Sequence, residues 1–135
     1  MKRCTLDTNI ITAFLKNNSR VVERFSEYLE FFDKLTINII SYYEILRGLK
    51  DLGNEEKLRS FDNFIQENEL VFITKESVDK AAEIYAYLKK DGNLIEDADI
   101  LMASTAIVED LVLITNNIKH FRRVKELKLD NWLQN

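Results

Sequence analysis

Apolar and polar residues follow two different periods along this chain. Short apolar runs such as Leu111–Ile114 are typical of buried strands, whereas Val21, Phe25, Leu29 and Phe32 recur at the three- to four-residue spacing of one helical face. Runs of the first kind alternate with stretches of the second kind along the sequence. The pattern therefore predicts alternating strands and helices.

This alternation predicts a single α/β domain over residues 1–135. Strands separated by helices pair in parallel through right-handed crossovers, so we expect a three-layer α/β/α fold with a central parallel sheet of about five strands. Strands are predicted at Lys2–Leu6, Leu35–Ile40, Leu70–Ile73, Leu111–Ile114 and Leu129–Leu133, and helices at Thr8–Leu15, Ser19–Phe32, Ser41 onward, Glu55–Asn68, Thr74–Leu88 and Asp97–Glu109, with a short basic helix after Asn117.

Local signals suggest where several helices begin and end. Ser41 and Glu44 have the spacing of a capping box, in which a hydroxyl and a carboxylate each satisfy a backbone donor. Asp97 suits the N-cap of its helix. Gly53 ends or bends one helix, and Gly92 follows another where a left-handed residue is favoured.

Composition limits the classes of protein that fit. With 135 residues, 46% of them hydrophobic, the chain can fill one core without a disulfide or structural metal. Its single cysteine, Cys4, lies in an apolar strand, so we expect a buried thiol and a reducing cytoplasm. Apolar runs fall short of the roughly 18 residues of a membrane span, and the first strand begins too early for a signal peptide, so we expect no membrane association.

The net charge of −4 argues against a passive nucleic-acid binder, which usually neutralises phosphates with a basic excess. It does not argue against a nuclease. A cleft of carboxylates attracts phosphate once a divalent cation is bound there.

Acidic residues recur where ligands bind in parallel sheets, beyond the carboxyl ends of the strands. Asp7 follows strand one, Glu44 lies one turn into the helix after strand two, and Asp99 lies in the first turn of the helix before strand four. Each has a structural alternative: Asp7 as an N-cap, Glu44 as the capping-box carboxylate, Asp99 as a complement to the helix dipole. Thr115 and Asn117 follow strand four, where an Asn is also a common turn residue.

Together these side chains indicate a metal site. Crowded carboxylates repel one another and require neutralisation by protons or metal. Oxygen ligands select hard cations, so Mg²⁺ is expected, with Mn²⁺ possible, rather than zinc. His120 is the only histidine and lies in a basic helix, where a solvated surface position is expected. Such a site suits metal-assisted phosphodiester hydrolysis.

Four segments resemble the motifs of the PIN-domain ribonucleases, and within them the VapC-type toxins of toxin–antitoxin pairs. The resemblance spans nearly the whole chain in the right order. Its segments are Leu6–Ile10, Ser41 through Glu44 to Gly48, Asp99–Ser104, and Thr115–Asn117 with Phe121 and Trp132 near the end.

The resemblance implies Asp7, Glu44 and Asp99 as metal ligands and catalytic acids. Asn117 falls where many relatives have a fourth acid or an amide, and Thr115 would help hold it. Supporting roles are implied for Thr8, Asn9 and Thr115. It further implies a homodimer, neutralisation by a cognate antitoxin protein, and RNA as substrate.

Basic residues near these positions could bind substrate phosphates, or could simply form solvated helix surfaces. They are Arg47, Lys119, Arg122 and Arg123.

Two alternatives remain open at the level of sequence. One is a catalytically inactive PIN-like module that binds RNA or protein, although three of the expected acids are present. The other is a receiver-like phosphoacceptor domain, which would need an aspartate at the end of strand three, where this chain has Ile73 and Thr74.

Overall fold

The computed structural model describes residues 1–134 and confirms the predicted fold class. Five parallel strands form one sheet in the order β3-β2-β1-β4-β5, and helices cover both faces. The strands are β1 Cys4–Leu6, β2 Thr36–Asn38, β3 Glu69–Val71, β4 Val112–Ile114 and β5 Leu129–Asp130; the helices are α1 Thr8–Leu15, α2 Ser19–Tyr28, α3 Ile39–Leu52, α4 Glu55–Gln66, α5 Lys75–Lys90, α6 Asp97–Val108 and α7 Ile118–Phe121.

The strand order makes β1 the point where the chain changes direction across the sheet. From β1 the chain proceeds to β2 and β3 on one side, then crosses to β4 and β5 on the other. Both neighbours of β1 are in register with it: Thr5 pairs with Thr36 and with Leu113. Crevices at such a switch point are the usual ligand sites of parallel sheets.

Alternate residues of the strands supply two cores, one on each face of the sheet. Ile114 packs with the helices α1 to α4, in a core that includes the buried side chains of Tyr28 and Phe61. Leu113, the preceding residue, packs with α5 and α6 in the second core, around Met102. This alternation is the two-residue period of a strand covered on both faces.

Several strands and helices end earlier than the sequence predicted. Strand two was predicted to reach Ile40 but ends at Asn38, strand five was predicted to reach Leu133 but ends at Asp130, and α2 ends at Tyr28 rather than at Phe32. In the case of β2 the reason is a cap. The Asn38 side chain accepts a hydrogen bond from Ser41 N at 2.8 Å, so the helix begins at once.

Two of the predicted helix caps were wrong. Ser41 lies inside α3, and its hydroxyl donates to Leu6 O at 3.0 Å, so it forms no capping box with Glu44. At the start of α6 the N-cap is Glu96 rather than Asp97, and its side chain makes no capping hydrogen bond.

The predictions for Gly53, Gly92 and Cys4 were confirmed. Gly53 ends α3 in the left-handed conformation, with φ of 66°, and Gly92 has φ of 69° just past α5. Cys4 is buried, and burial raises the pKa of its thiol to about 12. Among the helices within residues 1–134, none combines the length and apolar character needed to cross a membrane.

Candidate active site

The switch point brings together two residues that are 108 positions apart in the sequence. Asp7 directly follows β1 and Thr115 directly follows β4, and these strands are neighbours. The Thr115 hydroxyl donates to Asp7 Oδ2 at 2.7 Å. Both side chains are buried, with Asp7 9% exposed and Thr115 fully covered. The contact is thus a fixed, largely dry part of the sheet's carboxyl edge.

The Asp7 carboxylate also caps α1, since its Oδ1 accepts a hydrogen bond from Thr8 N at 2.7 Å. Burial raises the pKa of Asp7, while the bonds from Thr115 and Thr8 oppose that rise. The negative charges of Asp99 and Glu44 raise the pKa of Asp7 further. Glu44 and Asp99 are therefore both within electrostatic reach of Asp7, and we call these three residues the acid cluster.

Glu44 is held toward Asp7 by a contact between α1 and α3. The Thr8 hydroxyl donates to Glu44 Oε1 at 2.6 Å and lies 3.3 Å from Ser41 Oγ. The contact with the carboxylate is the shorter of the two and has the charged acceptor, so the Thr8 proton is directed at Glu44. This contact links α1 to Glu44 of α3, and a supporting role for Thr8 remains a prediction.

Asp99 lies in the first turn of α6 and meets His120 of α7. His120 Nε2 is 2.9 Å from Asp99 Oδ2, and the two side chains are 23% and 25% exposed. The expectation that His120 is a solvated surface residue was wrong. No local pattern in the sequence indicates this contact, because the two residues are 21 positions apart.

Asn38 is a further buried residue of the site that the sequence analysis missed. It is fully buried at the end of β2, and its Nδ2 donates to Leu6 O at 3.0 Å and lies 3.3 Å from Thr5 Oγ1. These bonds tie β2 to β1 immediately before Asp7. The sequence signal that could have identified Asn38 is a polar residue at the end of an apolar strand, which is also the position of Asp7 and Thr115.

Asn117 and Asn9 are less closely tied to the acid cluster. Both are exposed, and Asn117 is linked to the site through its backbone N, which donates to Thr115 Oγ1 at 3.0 Å. The same Thr115 hydroxyl donates to Asp7, and its expected role in holding Asn117 for the site remains a prediction. Catalytic and supporting roles for the two asparagines remain predictions.

The basic residues predicted to bind phosphate are all exposed. Arg47 lies on α3 with its guanidinium 5.2 Å from the ring centre of Tyr43, and Lys119 lies on α7 next to His120. Arg122 and Arg123 follow α7 directly. Their roles in RNA binding also remain predictions.

The chemistry of the acid cluster fits a hard divalent cation. Three carboxylates and two hydroxyls supply only oxygen donors, and a cation would relieve the burial of the Asp7 charge and its repulsion by Glu44 and Asp99. As the side chains stand within residues 1–134, no group of three or more aspartate, glutamate, histidine or cysteine residues is placed to hold a metal ion. One oxygen of Glu44 and one of Asp99 are instead bound to Thr8 and His120.

A parallel α/β/α sheet with acids at the switch point beside its first strand is the arrangement expected of a PIN domain. The family model for the PIN domain matches residues 4–127. The chain therefore belongs to the PIN-domain family, which confirms the resemblance.

Individual relatives show which members of the PIN-domain family this chain resembles. Ribonuclease VapC1 of Methanocaldococcus jannaschii is 35% identical over 122 residues, which cover 84% of this chain and 88% of the relative. The tRNA(fMet)-specific endonuclease VapC of Salmonella typhimurium is 27% identical, over 98% of this chain and 99% of that protein. The crystal structure of DNA-bound VapBC from Salmonella typhimurium matches with a TM-score of 0.86 and 27% identity, covering 98% and 99% of the two chains.

Proposed function

We propose that this chain is a metal-dependent endoribonuclease that hydrolyses RNA phosphodiester bonds in the cytoplasm, as the toxin of a toxin–antitoxin pair. The observation that carries the proposal is that Glu44 and Asp99 both lie within electrostatic reach of Asp7, which directly follows β1 at the switch point of the sheet. The relatives named ribonucleases and the VapBC structure support the RNA substrate and the antitoxin partner.

Asp7, Glu44 and Asp99 would hold the cation, which we expect to be Mg²⁺ or Mn²⁺. When bound, a divalent cation offsets the charge that builds on the phosphate and makes attack by water easier. Asp7 is the rigid member, since both of its oxygens are hydrogen-bonded within the chain. Glu44 and Asp99 each have one oxygen without a hydrogen-bond partner in residues 1–134, and these oxygens are available to the cation or to the attacking water.

The chain's own residues would prepare the substrate as well as the cation. Arg47, Lys119, Arg122 and Arg123 lie exposed on or beside the helices that carry Glu44 and His120. Positive charge there would hold the RNA backbone next to the acid cluster and offset the chain's net charge of −4.

Cleavage of RNA by matched variants tests the proposal. We expect Asp99→Asn to lower the Mg²⁺-dependent cleavage rate by more than about 100-fold, because it removes a metal ligand. Asp97→Asn is the matched control, since Asp97 is exposed in the same helical turn, and its rate should stay within about two-fold. Equal loss in both variants, or cleavage by wild type that persists in EDTA, would contradict the proposal.

The inactive PIN-like module predicts a different result in the same assay. It would bind RNA without cleaving it, with or without Mg²⁺. Expression in a bacterial host adds the test of toxicity. Wild type should arrest growth and Asp7→Asn should not, whereas equal harmlessness of both in several hosts would argue against a toxin.

The homodimer is a separate part of the proposal. Large apolar side chains are exposed on α3 and just after β3, among them Tyr43 at 58% and Phe72 at 58%. Burial of such side chains in a second copy would stabilise a dimer. Sedimentation equilibrium should give twice the mass of 15.9 kDa, and a monomer at micromolar concentration would refute this part alone.

A further inference from the structure

We propose that His120 is a positioning residue of the metal site, which fixes the Asp99 carboxylate for the cation. The inference rests on the proposed function and extends it to a residue outside the acid cluster. Its basis is the 2.9 Å contact between His120 Nε2 and Asp99 Oδ2, which joins α7 to the first turn of α6.

The imidazole is held in place from two sides. Its ring packs edge-to-face against Phe121, with ring centres 5.3 Å apart and an interplanar angle of 87°. Phe121 is itself buried, with 1% of its surface exposed. The backbone N of His120 donates to Asn117 O at 3.2 Å, at the start of α7. The His120 ring is therefore held in one position beside Asp99.

The contact leaves one Asp99 oxygen for a cation. An ionised carboxylate only accepts hydrogen bonds, so His120 donates through Nε2 to Oδ2. Within residues 1–134, Oδ1 of Asp99 has no hydrogen-bond partner. A carboxylate anchored by one oxygen has less rotational freedom to lose when the other oxygen binds metal.

The same arrangement recurs at each member of the acid cluster. Thr115 donates to Asp7, Thr8 donates to Glu44, and His120 donates to Asp99. Partners that hydrogen-bond metal-ligating carboxylates typically change metal affinity by about 10- to 100-fold when they are removed. His120 completes this set of three supporting donors.

Mn²⁺ binding by the purified, RNA-free protein tests the inference, with free Mn²⁺ measured by electron paramagnetic resonance. We expect His120→Ala to raise the Kd for Mn²⁺ by about 10-fold or more. His120→Gln keeps a donor at a similar reach and should bind within about three-fold of wild type. Lys128→Ala removes a 2.9 Å ion pair to Asp110 away from the site and should leave the Kd unchanged.

Thermal unfolding in EDTA separates positioning from a general loss of fold. A purely structural role would lower Tm in His120→Ala without changing the Kd of the folded protein, and that result would overturn the inference. Equal Mn²⁺ affinity in His120→Ala and wild type, with weak binding by Asp99→Asn, would overturn it while leaving the proposed function intact. Wild-type protein that binds no Mn²⁺ would overturn both.

Discussion

Asp7→Asn should make the protein more stable while it abolishes cleavage. Asp7 is 9% exposed, and burial raises the pKa of its carboxyl group. The folded chain thus carries a charge at neutral pH that its surroundings disfavour in the absence of metal. The amide has nearly the same shape and no charge.

The expected gain is the difference between two opposing effects. Asn keeps an oxygen to accept the bond from Thr8 N. Its NH2 group then faces Thr115 and donates to the hydroxyl, so a neutral bond of reversed direction replaces a charged one, at a loss on the order of 1 kcal/mol. Removing a buried charge relieves a penalty of several kcal/mol, and it also removes repulsion from Glu44 and Asp99. We expect a net stabilisation of about 1–2 kcal/mol. In a chain of this length that corresponds to a rise in Tm of about 3–6 °C.

The pH dependence of this gain follows from the direction of the shift. Because the pKa of Asp7 is raised in the folded state, the folded chain binds a proton more tightly than the unfolded chain does. Wild type therefore gains stability as the pH falls through the folded-state pKa toward the ordinary pKa of an aspartate carboxyl group, about 3.9. The advantage of Asp7→Asn should be full above that window and shrink within it.

Thermal unfolding in EDTA from pH 4 to pH 8 measures the effect. Asp110→Asn is an opposite control, because the hydrogen bond and charge of Lys128 lower the pKa of Asp110. That variant should lose stability at neutral pH and approach wild type as the pH falls. A decrease in Tm for Asp7→Asn at pH 7, or a gain that does not depend on pH, would refute the reasoning.

Two further predictions, each with a control substitution, concern the hydrogen bonds of the Thr115 hydroxyl and the backbone conformation of Gly53. Thr115→Val removes the hydroxyl that bonds Asp7 and Asn117 N, so we expect a loss of about 2–3 kcal/mol by urea unfolding. Thr105→Val, which loses only a bond to Leu101 O inside α6, should cost less, and equal losses would contradict the importance of the Asp7 contact. Gly53→Ala should destabilise the fold by about 1 kcal/mol because φ is 66° there, although a methyl group would meet nothing within 4 Å. Gly48→Ala, equally open but inside α3, should stabilise by about 0.5–1 kcal/mol, and a change of the same sign in both would contradict the backbone argument.

The sheet and much of its carboxyl edge were predictable because they depend on periodicity and on strand ends. Thr115 follows the apolar run Leu111–Ile114 and Asp7 follows the predicted strand Lys2–Leu6, and parallel pairing of β1 with β4 is sufficient to bring them into contact. Strand order could not be read in the same way, because it depends on which apolar faces pack together in three dimensions. Boundaries failed where a buried side chain competed with propensity, as Asn38 does by ending β2.

The supporting contacts of the site depend on distant partners, which local patterns do not report. The Ser41–Glu44 spacing matches a capping box, yet Ser41 bonds Leu6 O and Glu44 accepts from Thr8. In the sequence, nothing distinguishes His120 from the other residues of the basic helix. Its position depends on how α7 packs after β4, and that packing sets its distance to Asp99.

The central claim is that Asp7, Glu44 and Asp99 share one divalent cation. Anomalous diffraction from crystals soaked in Mn²⁺ tests it most directly. We expect one strong peak at the switch point, with an oxygen of each of the three carboxylates within roughly 2.0–2.4 Å of the ion. A peak elsewhere, or an ion that contacts only one of these carboxylates, would contradict the claim.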